Sequence, residues 1–97
     1  MAIIPYGSST LTNTYTSTVD TSWTSNSAGY YTKTITVSGI LASDNPIIDL
    51  IPTTSGYENE QDAWGKIFKI TTADNSVTLY ASKATETSIT IQIKVVR

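Results

Sequence analysis

The sequence predicts a β-rich α+β fold, an antiparallel sheet of about six strands with one short helix, Tyr57–Gly65, inserted between strands three and four. Three observations carry this. Apolar and polar residues alternate with a period of two in several runs, most clearly near the carboxyl end. There Ile89, Ile91, Ile93 and Val95 alternate with Thr90, Gln92 and Lys94. Thr, which is β-branched and favours strands, fills much of the opposite phase. One stretch alone, Ala63, Trp64, Ile67 and Phe68, has helical spacing.

Taken in order, the first strand spans 8–24. Thr10, Thr12, Thr14, Thr16 and Thr18 occupy every second position, while Leu11, Tyr15, Val19 and Trp23 lie on the other phase. Its apolar face is sparse, so disorder is the competing reading. Residues 25–29 have turn chemistry and lead to a strand over 30–38, where Tyr31, Ile35 and Val37 alternate with Thr32, Thr34 and Thr36. These two strands are expected to pair as an antiparallel hairpin. A turn at 42–46 ends in Pro46, and 47–51 is apolar on both phases, as in a central strand, until Pro52 stops it.

Ser55-Gly56-Tyr57-Glu58 has the Ser-x-x-Glu spacing of a capping box, with Glu58, Glu60 and Asp62 favoured by the helix dipole. The helix is expected to turn Trp64 into the core and to loosen at Gly65. Extended structure returns over 68–72, and Ala73-Asp74-Asn75-Ser76 makes a tight turn. In the next strand Val77, Leu79 and Ala81 alternate with Thr78 and Tyr80, and a polar loop leads into the closing strand over 87–97. The four large apolar side chains of that strand are each worth roughly 1.5–3 kcal/mol when buried, so the core is expected to be built around it.

Ninety-seven residues make a single domain, 1–97, read as a Thr/Ser-rich amino-terminal strand or attachment arm over 1–22 and a globular body over 23–97. The chain has no Cys and no His. That excludes disulfides, a thiol nucleophile, a Ser–His pair and the commonest transition-metal ligand. Six basic and eight acidic residues give no basic patch for a phosphate backbone, so nucleic acid is not an expected partner. Met1–Pro5 is too short for a signal segment, and no apolar run approaches a membrane span.

Eighteen Thr and twelve Ser stand beside a charged fraction of 14%, against about a quarter in typical soluble domains. Either much of the uncharged polar surface lies against other copies, or the chain has a neutral, Thr-rich secreted or viral surface. Glu58, Glu60 and Asp62 look like a cluster, but helix neighbours two apart do not share a face. Asp44 and Asp49 lack the loop pattern of a calcium site. No metal, cofactor or catalytic residue is expected, and an enzyme is not. Trp23, Tyr30 and Tyr31 flank the 25–29 loop and are the candidate stacking surface for a sugar; core or intersubunit roles are the alternative. Leu11, Tyr15 and Val19 join them as candidate intersubunit contacts.

Several segments then carry a resemblance. They are Trp23-Thr24, Tyr30-Tyr31-Thr32, Thr36-Val37-Ser38-Gly39-Ile40 and Ala42-Ser43-Asp44-Asn45-Pro46-Ile47-Ile48-Asp49-Leu50. They continue with Ala63-Trp64-Gly65-Lys66-Ile67, the run from Ile70 to Ala81 and the ending Ile91-Gln92-Ile93-Lys94-Val95-Val96-Arg97. Together they resemble short virion structural proteins and fibre modules of phages and prophages of Gram-positive bacteria, found among tail, baseplate and head-fibre genes. The resemblance covers 23–97 and carries no catalytic or ligand motif. It implies a location in the virion and contact with other virion proteins. The leading expectation is a non-enzymatic fibre, knob or capsid-decoration module that assembles as a homotrimer. The alternative is a host-surface carbohydrate-binding module using Trp23, Tyr30 and Tyr31. A small metal-dependent enzyme using the carboxylates is the third.

Overall fold

The computed structural model describes residues 12–96. The chain runs β1 (Thr12–Val19), β2 (Thr24–Ser25), β3 (Tyr31–Thr36), β4 (Ile47–Ile51), α1 (Tyr57–Gly65), β5 (Ile67–Ala73), β6 (Ser76–Ala81) and β7 (Ile89–Val96). The strands form two sheets, all of whose pairings are antiparallel. The first has the order β1-β7-β4 and the second β2-β3-β6-β5. The β-rich, antiparallel expectation holds. Its finer form is corrected, because there are seven strands in two sheets and the helix follows strand four rather than strand three.

The extra strand comes from the amino-terminal Thr run, which does not continue to Thr24 as one strand. Asp20 Oδ1 accepts the Ser22 N–H at 2.8 Å, which folds the backbone back at 20–22. The Lys33 ammonium holds the break from the second sheet, bound to the Asp20 carboxylate and, at 3.1 Å, to the Ser22 carbonyl. The chain thereby leaves the first sheet after Val19 and joins the second at Thr24. The expected hairpin shrinks to two residue pairs, Thr24 with Thr32 and Ser25 with Tyr31. β1 instead pairs along its whole length with β7, from Thr12 opposite Val96 to Val19 opposite Ile89. A period of two decides which face a side chain takes, but it does not choose the neighbouring strand.

The Lys33 and Ser22 bonds hold the Asp20 carboxyl below its ordinary value. Their contribution to stability is therefore complete above the usual aspartate range and is lost as acid protonates the folded state. Urea titrations should show Asp20→Asn less stable than the natural chain at neutral pH, with the gap closing in strong acid. A gap that persists in acid would show that the carboxylate charge is not what holds the break.

The two sheets pack face to face. Ile89, Ile91, Ile93 and Val95 of β7 are fully buried, as expected, and meet Val77 and Leu79 of β6. Beside β7, the inward phase of β1 supplies Tyr15 and Val19, and that of β4 supplies Ile48 and Leu50. β4 is an edge strand rather than a central one, and its other phase, with Ile47 and Ile51, faces outward because no other described element covers that face of the sheet. The connection after β3 closes over the core with Val37 and Ile40. It is tied to the β5–β6 turn where Val37 N–H donates to the Asn75 carbonyl at 2.9 Å and Gly39 N–H to Asn75 Oδ1 at 2.9 Å. Gly39 has φ +99, a conformation that favours glycine, and a Cβ there would sit 2.9 Å from the Tyr15 hydroxyl, which would have to shift.

α1 has the expected bounds and contacts β4, β5 and β7. Its cap is not the expected Ser55–Glu58 box, because Gly56 is the N-cap and makes no side-chain cap bond. The work falls to residues outside that frame. Thr53 Oγ1 accepts the Gly56 N–H at 3.1 Å, and Glu60 Oε1 reaches back to the Thr53 N–H at 2.7 Å. Glu60 and Ala63 are the buried residues of the helix, whereas Trp64, expected in the core, is half-buried against it. Helix neighbours at 60, 63 and 64 share one face, and Ala63 at its centre leaves Trp64 at the margin. Phe68 lies in extended structure, as expected, and takes an outward position because β5 is irregular between Ile67 and Lys69.

Candidate functional site

Three surfaces result from this arrangement. The outer face of the first sheet carries Thr12, Thr14, Thr16 and Thr18 on β1, Thr90, Gln92, Lys94 and Val96 on β7, and Ile47, Asp49 and Ile51 on β4. The alternation that buries the opposite phase dictates this set. Ile47 is 62% exposed and Val96 55%. The registers set Thr14, Lys94 and Ile47 in one row and Thr16, Gln92 and Asp49 in the next.

On the outer face of the second sheet, Thr24, Thr32, Tyr80 and Lys69 form one row and Thr34, Thr78 and Thr71 the next. Thr34 and Thr78 share a hydrogen bond of 3.0 Å. At one end of this face Tyr30, Phe68 and Tyr80 form an aromatic cluster. The Tyr30 and Phe68 rings meet edge to face at 6.1 Å, and Tyr80 lies 5.9 Å from Tyr30 and 6.4 Å from Phe68. Lys69 Nζ stands 5.0 Å over the Tyr80 ring, and Phe68 is 59% exposed. Ring faces, hydroxyls and one cation thus share a single surface.

The third surface is an open groove of about 510 Å³ between the free edges of β4 and β5, lined by Ile48 and Ile70 below and Asp44, Asn45, Pro46, Thr71 and Thr72 around it. The Asp44 carboxylate accepts the Leu41 N–H at 2.8 Å, and Thr72 Oγ1 donates to the Asp44 carbonyl at 3.2 Å. These bonds shape the loop at the mouth of the groove. Among the described residues, no three His, Cys, Asp or Glu side chains gather where they could share a metal ion.

The candidate residues from the sequence are spread over the molecule. Tyr15 packs on the core from β1, and Val19 is wholly buried. Leu11 lies outside the described residues. Trp23 also packs on the core, and its indole N–H donates at 2.8 Å to Thr85 Oγ1, which accounts for the burial of that hydroxyl. Tyr31 pairs with Ala81 on the inward phase of β3, and Tyr30, one residue earlier, joins the aromatic cluster. The turn that the three aromatics flank is closed by Asn26 N–H donating to the Tyr30 carbonyl at 2.8 Å. Sequence reasoning brought Tyr30 forward without its partners Phe68, Tyr80 and Lys69. The outward phase of Tyr80 was legible in its alternation with Leu79 and Ala81; the turn of Phe68 to the same face was not.

No protein-family model, curated protein or solved structure matches this chain.

Proposed function

We propose that the chain is a non-enzymatic phage virion structural protein, a small fibre, knob or capsid-decoration module that works as a homotrimer alongside other virion proteins. The observation that carries this reading is the outer face of the first sheet. It sets Ile47, Ile51 and Val96 among columns of Thr, with Asp49 and Lys94 as its charged members. Exposed apolar side chains on a sheet face with only one cation and one anion are what a surface covered by another chain needs. The segments of 23–97 that resemble phage and prophage modules support the same reading. Light scattering on the full chain at micromolar concentration is expected to give three times the chain mass. A monomer there would refute the homo-oligomer, and images of particles that lack the protein would refute the virion location.

The aromatic cluster supports a second reading, a host-surface carbohydrate-binding module. Saccharides present C–H faces that stack on rings and hydroxyl rims that hydrogen-bond, and Tyr30, Phe68 and Tyr80 beside Thr32 and Thr78 offer both. A glycan array is expected to show binding that Phe68→Ala abolishes without loss of thermal stability. Binding unchanged in Phe68→Ala, or none by the natural chain, would remove this reading.

A further inference from the structure

We infer that the outer face of the first sheet is the seam between copies, with Lys94 of one copy paired to Asp49 of the next. The inference rests on the homo-oligomer reading and goes further, because it names the face and the contact. Lys94 lies on the central strand of the sheet and Asp49 on its β4 edge, one row apart in the register, since Lys94 stands opposite Ile47 and Asp49 opposite Gln92. Both side chains are on exposed residues, and neither makes an ion pair or hydrogen bond among the described residues.

The charge pattern selects the occupant. Around these two residues the face is Thr, Gln, Ile and Val. Lys94 and Asp49 lie in adjacent rows but do not pair with each other within the chain. An apolar partner, or a partner of one sign, would therefore leave a desolvated charge without a counter-ion, which is costly. A second copy brings one cation and one anion on the same face, so each charge finds its opposite. Lys94 is central and Asp49 is at the edge, so a neighbour laid across the face can set its β4 edge against β7 of the first copy. Repeated head to tail, such a contact builds a ring when its rotation closes, and it covers the Ile47, Ile51 and Val96 side chains. The Thr columns of β1 then supply hydroxyl groups along the seam, where Thr–Thr hydrogen bonds form between strands.

The test is charge reversal with rescue, read by light scattering across a dilution series. Lys94→Glu and Asp49→Lys are each expected to weaken association by about tenfold or more, because like charges then meet across the seam. The double variant K94E/D49K, which restores opposite signs in swapped places, is expected to recover association to within about threefold of the natural chain. Circular dichroism melts should show all three folded, since both positions are exposed. Thr34→Glu on the outer face of the second sheet is the control and should leave the mass unchanged. A stable oligomer indifferent to either single reversal would overturn this seam while leaving the homo-oligomer standing. Two weakened single variants without rescue would overturn the Lys94–Asp49 pairing. A monomeric natural chain would overturn the homo-oligomer and the seam together.

Discussion

Ile93→Asp is expected to leave the chain unfolded at room temperature. Ile93 is fully buried at the middle of the first sheet, in a row with Tyr15 of β1 on one side and Ile48 of β4 on the other. The substitution removes a branched aliphatic side chain, worth about 2–5 kcal/mol for a truncation of this kind, and adds a carboxylate in its place. Its row partners Tyr15 and Ile48 and its inward neighbours on β7, Ile91 and Val95, carry no positive charge. The residue must therefore take up a proton or drag water into the core, at a further cost of several kcal/mol. Domains of this size have only about 5–15 kcal/mol of stability in total. Far-UV circular dichroism should show the strand signal lost. Lys94→Gln, one residue along and on the outer face, should retain it. If Ile93→Asp keeps a cooperative melt near that of the natural chain, β7 is not at the centre of the core.

The same strand shows which parts of the fold could be read from sequence. β7 and β6 were legible because each carries unbroken alternation with Ile, Val or Leu on one phase, and such a pattern has one way to bury itself. The turn before β6 was legible from Asn75, which adopts φ 64 as its Asp-Asn-Ser context suggests. β1 was legible as a strand, but its partner was not. Thr offers a β-branched side chain to any neighbour, and the choice of β7 over β3 depends on the fold at Asp20, held by Lys33 thirteen residues away. β4 misled for a related reason. Exposed Ile47 and Ile51 give it the doubly apolar composition of a central strand although it sits at an edge.

Surfaces were harder to read than strands. Tyr30, Phe68 and Tyr80 are far apart in sequence and come together through two strand registers and one irregularity in β5. None of these leaves a local signature. The outer face of the first sheet was half legible, since the Thr phase of β1 and the Thr90, Gln92 and Lys94 phase of β7 show in the alternation. Placing Ile47 beside Lys94, and Asp49 beside Gln92, needed the β4–β7 register. In a small two-sheet domain every strand phase that misses the core becomes surface, so errors about strand partners turn into errors about sites.

Glu60→Ala is expected to destabilise the chain by about 2–4 kcal/mol, the second largest effect after a charge in the core. Glu60 is only 8% exposed, and its carboxylate takes the Thr53 N–H at 2.7 Å and the Thr53 hydroxyl at 3.0 Å. Hydrogen bonds to a charged group contribute about 1.5–3 kcal/mol each, though two on one carboxylate do not simply add. The same threonine oxygen accepts the Gly56 N–H, so the carboxylate and the hydroxyl together fasten the start of α1 to the segment leaving β4. This is a capping box in chemistry, with an acid reaching back to a backbone N–H and a hydroxyl taking another. It is spread over residues 53–60 rather than compressed into 55–58, which is why the Ser55–Glu58 spacing drew attention to the wrong pair. Thr53→Val should give a related loss, since it keeps the shape and deletes the hydroxyl. Urea denaturation of both single variants and the double variant tests the coupling. A double variant no less stable than Glu60→Ala alone supports a shared network. Fully additive losses, or a Glu60→Ala chain as stable as the natural one, would show that α1 is held by Ala63 and Trp64 packing on the sheets instead.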